Sequence, residues 1–145
     1  MVTATDKGTA LLALVVLLGL TAALLLPTTA SAGKPEVTWV ELNREARHWR
    51  ITVTLSHSDT DDYHFLDRWH VHSPDHQVFG EERFHTPRVQ APERISTLRD
   101  VRIPRDVDTL LIRARDSLHG WGPRVEVDLT EERGERYRIR TDTDW

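Results

Sequence analysis

From Val37 to Leu129 apolar and polar residues alternate with a period of two, the spacing of strands with one face on a core. The clearest case is Trp49, Ile51, Val53 and Leu55, interleaved with Arg50, Thr52, Thr54 and Ser56. The same pattern predicts strands at Val37–Leu42, Trp49–His57, Tyr63–Ser73, Val78–His85, Ile95–Ile103, Leu110–Asp116 and Val125–Leu129. Turn signals separate them. Asn43–Arg47 is polar, Ser58–Asp62 is acidic, Thr86–Glu93 carries Pro87 and Pro92, and Asp116–Pro123 contains Gly120 and Gly122. Ser73-Pro74-Asp75-His76 has proline at the second position, as a type I turn prefers. No segment has the period of an amphipathic helix. The prediction is a single antiparallel Greek-key β-sandwich of seven strands spanning 33–130, followed by a charged tail, 131–145, in which Tyr137 and Ile139 could form one more edge strand.

Two resemblances sharpen this. Trp69, central in the third strand, and the run V-R-I-P…D-T-L-L-I-R-A-R-D-S-L-H-G-W-G resemble fibronectin type III and immunoglobulin domains. That resemblance implies two packed sheets with Trp69 between them, and the missing cysteines lean it toward the fibronectin type III side. The segments D-Y-H-F-L-D-R-W, H-T-P and R-D-S-L-H-G-W-G also resemble a set of small exported bacterial proteins. The second resemblance implies export and a sandwich, and transfers no chemistry.

Before the first strand the pattern changes. Ala10–Leu26 is almost wholly apolar, Pro27 breaks it, and Thr28–Ala32 ends in an A-x-A motif of small residues. This predicts a signal peptide, 1–32, cleaved after Ala32, and a secreted or periplasmic protein with no membrane attachment after cleavage. An uncleaved anchor is the alternative, because the apolar run approaches the length of a membrane span.

Composition removes several functions. The chain has no cysteine, so it has neither disulfides nor thiolate ligands nor a nucleophilic thiol. A net charge of −4 argues against nucleic acid and anionic membranes as partners. No G-x-S-x-G elbow or glycine-rich phosphate loop is present. Asp116, Ser117 and His119 have the residue types of a catalytic triad but lie in one loop, so the expectation is a protein that is not an enzyme.

The candidate chemistry therefore rests on histidine, of which there are 8. In the predicted sandwich, His57, His64, His85 and His119 come from separate segments toward one loop pole, with Asp59 and Asp62 placed to orient their rings and Trp121 as a loop aromatic. Imidazoles converging from different segments suit copper or zinc. A second candidate is His70 with His72, two residues apart on the outer face of their strand, with His76 in the following turn. Residues so spaced project the same way, about 6.5–7 Å apart at the backbone. The H-V-H pair resembles a strand of copper–zinc superoxide dismutase, but the cysteine pair and histidine-rich zinc loop of that enzyme are absent. Calcium at Asp59, Asp61 and Asp62 is the weaker option, since the glycine and distal glutamate of an EF-hand loop are missing. The expected function is an exported binding protein that holds copper or zinc at the first cluster. The alternative is a protein-interaction or envelope-accessory module, with structural histidines and a protein or small-ligand partner at the same pole.

Overall fold

The computed structural model describes residues 33–141; the expected signal segment and residues 142–145 lie outside them. The described chain is all-β. Its strands are β1 (Glu36–Glu45), β2 (His48–Ser56), β3 (Leu66–His72), β4 (Val78–Arg83), β5 (Glu93–Val101), β6 (Thr109–Asp116), β7 (Gly120–Trp121), β8 (Val125–Asp128), β9 (Arg133–Gly134) and β10 (Tyr137–Thr141). One sheet runs β5-β2-β1-β10-β9; the other runs β4-β3-β6-β7, with β8 also paired to β6. No helix among the described residues is long and apolar enough to cross a membrane.

The alternating residues explain the two sheets. Trp49, Ile51, Val53 and Leu55 of β2 are buried, as are Val37, Val40 and Leu42 of β1. They share one core with Leu66, Trp69 and Val71 of β3, Leu110, Ile112 and Ala114 of β6, and Val125 and Val127 of β8. This arrangement is compatible with a β-sandwich. Trp69 has no exposed surface, and its indole donates a 2.9 Å hydrogen bond to Ser96 Oγ on β5 of the other sheet. Its one polar atom is thus satisfied inside the core.

Three features differ from the alternation pattern. First, β3 begins at Leu66, so Tyr63–Phe65 belong to the preceding loop. Second, the 131–145 segment supplies two strands. β10 pairs in parallel with β1, aligning Val40 with Tyr137, and Tyr137 is buried. Third, the outer face of β3 is dry: His70 and His72 are 7% and 3% exposed. An isolated strand pattern shows which residues alternate, but not what folds over the outward face.

The strand beside β6 is interrupted. β7 covers Arg115 and Asp116, β8 covers Thr109–Ile112, and between them Gly122 N–H bonds Ala114 O at 2.8 Å. A Cβ at Gly122 would lie 1.8 Å from the Pro35 carbonyl oxygen, so only glycine fits where the two backbones pass. Gly120, at φ 81°, closes the preceding turn in the left-handed region.

Two stability outcomes follow, both read by urea denaturation. Trp69→Ala should cost about 3–5 kcal/mol. At Gly120 an added Cβ meets open space, so Gly120→Ala should cost only the left-handed penalty, about 1–2 kcal/mol, and less than Gly122→Ala, where the obstacle is backbone.

Candidate metal centre

Asp116 ends β6 with its side chain wholly buried. Its Oδ1 accepts the backbone N–H groups of Leu118 and His119, both at 2.5 Å, which folds Asp116–His119 into a side-chain-capped turn. Its Oδ2 faces three imidazole nitrogens: His57 Nε2 at 2.9 Å, His64 Nε2 at 2.9 Å and His119 Nδ1 at 3.0 Å.

Two of the rings are held from behind. His57 follows β2, and its Nδ1 lies 2.6 Å from Asp59 Oδ1. Asp59 is itself fixed, accepting Leu66 N–H at 2.9 Å and Arg88 N–H at 2.7 Å, with Arg94 Nη2 at 3.8 Å. His64 is positioned by Asp61, whose Oδ1 accepts the N–H groups of Tyr63 and His64, and its Nδ1 lies 3.1 Å from Thr60 Oγ1. His57 and His64 therefore turn Nε2 inward while Nδ1 is tied to an oxygen partner. The rings of His57, His64 and His119 stack edge to face, with centroids 5.1 Å and 4.8 Å apart.

Exposure grades outward through the group, from 4% for the His57 side chain to 12% for His64 and 39% for His119. Burial alone would raise the Asp116 carboxyl. The His119 N–H and ring, the Leu118 N–H and the His57 ring overcome this and hold it far below the usual carboxylate range. Burial likewise acts to raise Asp59, and the Arg88 N–H, the His57 ring and the Leu66 N–H bring it below its ordinary value.

His57, His64 and Asp116 each offer one ligand atom, all within 4.8 Å of one another. Bonds of 2.0–2.1 Å in a tetrahedral zinc site separate neighbouring ligand atoms by about 3.4 Å. The 2.9–3.0 Å contacts at Oδ2 are hydrogen-bonding distances, so an ion would spread the rings by a few tenths of an ångström.

The other residues singled out in the sequence are distributed differently. His85 is exposed and outside this group, and Asp62 is exposed in the same loop as Asp59. Trp121 stacks on His70, with centroids 4.0 Å apart, and does not join the group around Asp116. His70 Nε2 accepts the Arg113 Nε–H at 3.2 Å, and the Arg113 guanidinium lies over the Trp121 ring at 4.7 Å. His72 Nδ1 donates to Ser73 O at 2.8 Å, and its buried Nε2 has no partner. His76, at φ 70°, lays its ring parallel to His72 at 5.9 Å. Burial, His72 and Arg113 push His70 down to about 4, against the opposing pull of Glu81. Burial also lowers His72, with Ser73 O opposing and Arg113, His76 and Arg124 contributing. A cation at His70 would have to displace a guanidinium, which makes this the poorer metal site. A groove of about 770 Å³, lined by residues including Arg44, His48, Trp49 and Leu129, shares no residue with either histidine group.

The pattern reading did not place Asp116 at the centre. The available signal was D-S-L-H itself, an aspartate at a strand end followed by a tight turn. Comparison with protein-family models, with curated proteins and with solved structures finds no match.

The depressed His70 makes stability pH-dependent. The unfolded chain, with histidine near 6.5, binds the proton that the folded chain resists, so stability is full above about pH 6.5 and falls as pH drops toward about 4. The difference corresponds to about 3 kcal/mol. Asp59 and Asp116 add a loss of the same sign at still lower pH, as they are forced to protonate below 3.8. Urea denaturation at pH 7 and pH 4.5 should show this decline, and His70→Phe should reduce it by at least about 1 kcal/mol. An identical decline in the variant would assign it to other groups.

Proposed function

We propose that this protein is an exported, non-enzymatic β-sandwich of the fibronectin type III or immunoglobulin-like kind. It binds a divalent transition metal, zinc or copper(II), through His57 Nε2, His64 Nε2 and Asp116 Oδ2, with His119 as the exposed fourth donor. The strand orders β5-β2-β1 and β4-β3-β6-β8 support the sandwich class. Export rests on the apolar run before Pro27 and the A-x-A motif.

One observation carries the metal reading: two imidazoles present Nε2 to a single ionised carboxylate oxygen, while Asp59 and Thr60 hold their Nδ1 atoms. A ligating histidine is oriented in this way, with the second nitrogen engaged by a carboxylate or other oxygen. The donor set of nitrogen and carboxylate oxygen suits zinc or copper(II). The second reading, an interaction module with structural histidines, draws on the same distances. At 2.9 Å from Oδ2, His57 and His64 already form hydrogen bonds that tie β2, the β2–β3 loop and β6 together.

Titration calorimetry with zinc and with copper(II) separates the two. The expected result is one site tighter than about 10 μM, roughly −7 kcal/mol. The affinity should be lost in His57→Ala plus His64→Ala and kept in His85→Ala and in His70→Ala plus His72→Ala. Absence of such binding in the parent would leave the interaction module. Loss only in the His70/His72 variant would move the site to β3.

A further inference from the structure

The hairpin Asp116–Trp121 touches both histidine groups. Its first residue is the carboxylate at the centre of the candidate site, and His119 is the most exposed ring of that site. Two residues later Trp121 lies flat on His70. The hairpin's start is held by Asp116 and by Ser117, whose Oγ accepts the Phe65 N–H at 3.0 Å and donates to Tyr63 O at 2.9 Å; its far end is held less. β7 is two residues long and pairs only Gly120 and Trp121 with β6, and Leu118 at its tip is 63% exposed. The Trp121–His70 stack and the Arg113 guanidinium over the same indole are the side-chain anchors of that far end.

We infer that the stack of Trp121 on His70 is an acid-released latch, which fixes the β7 end of the hairpin, and with it the placement of His119, while His70 is neutral and frees that end when His70 takes a proton. The atoms give the reason. His70 Nε2 accepts the Arg113 Nε–H, and an arginine cannot serve as an acceptor, so this contact requires an unprotonated Nε2. Protonation there removes the hydrogen bond and sets an imidazolium against a guanidinium, directly beneath the indole that both support.

The surrounding charges favour release. His72 and Arg68 flank His70 on β3, Arg113 faces it from β6, and Glu81 on β4 acts in the opposite direction. Glu81 is already engaged by Arg83 at 2.6 Å and Arg68 at 3.9 Å. His72, next to His70 with ring centroids 4.7 Å apart, is acted on in the same sense by Arg113, Arg124 and His76, which disfavour a positive charge on that side. The latch itself is a property of the metal-free chain; only its consequence for His119 rests on the metal-binding reading.

Hydrogen exchange on the metal-free protein tests the latch. The reporter is the Gly122 amide, which bonds Ala114 O where β7 ends, and the Val53 amide in the central strand β2 reports global opening. If opening takes up the His70 proton, corrected Gly122 protection should fall up to about tenfold per pH unit between about pH 6.5 and 4. Gly122 should also exchange faster than Val53 at every pH. His70→Phe keeps a ring under Trp121 but takes no proton, so it should abolish the pH-dependent part. Trp121→Ala should raise Gly122 exchange at least tenfold at pH 7. Equal exchange of Gly122 and Val53, or an unchanged pH response in His70→Phe, would overturn the latch. In a second arm, Trp121→Ala should weaken zinc binding at least threefold at pH 7; unchanged affinity would overturn the link to His119. If the parent binds no zinc, the proposed function fails, and the exchange data decide the latch alone.

Discussion

A carboxylate with no exposed surface has to be compensated by its neighbours, and Asp116 imposes that requirement on one end of this protein. It takes five hydrogen bonds: two from the backbone of its own turn and three from imidazoles. Those contacts place the β6–β7 hairpin, the end of β2 and the β2–β3 loop relative to one another. Asp59 extends the network to Arg88 and Arg94, so the long connection between β4 and β5 is drawn in as well. Removing one partner from such a network leaves a buried charge uncompensated, which costs more than the pairwise contact contributes.

The same geometry could serve in two ways. Without an ion, the imidazoles satisfy Asp116 and close the end of the fold. With one, the inward Nε2 atoms of His57 and His64 and the carboxylate oxygen become a donor set, and Asp59 and Thr60 already supply the outer contacts that fix ring orientation. The histidines of β3 have different surroundings. Their lone pairs face a guanidinium or a closed interior, and arginines surround them.

Much of the fold was legible in the sequence, because core-facing positions in strands announce themselves by alternation. Trp49, Ile51, Val53 and Leu55 read directly as the buried face of β2, and Trp69 as a residue between the sheets. The convergence of His57, His64 and His119 was readable from strand order, since loops after alternate strands meet at one pole. Asp116 as the hub was not, because nothing in a strand's last residue reveals that three rings will reach it. His85 follows β4 and stays exposed, a matter of where a strand ends rather than of its pattern. Trp121 was drawn to His70 by stacking across the outer face of β6, a contact between side chains that periodicity does not encode.

The most direct measurement is a long-range proton–nitrogen correlation spectrum of the histidine rings, recorded on the purified protein before and after one equivalent of zinc. Binding at the Asp116 centre should move the Nε2 resonances of His57 and His64 in slow exchange and leave their Nδ1 atoms hydrogen-bonded to Asp59 and Thr60, with His70 and His72 unmoved. Zinc-dependent shifts confined to His70, His72 and His76, or no shift at any ring nitrogen, would contradict the assignment of Asp116 and its histidines as a metal centre.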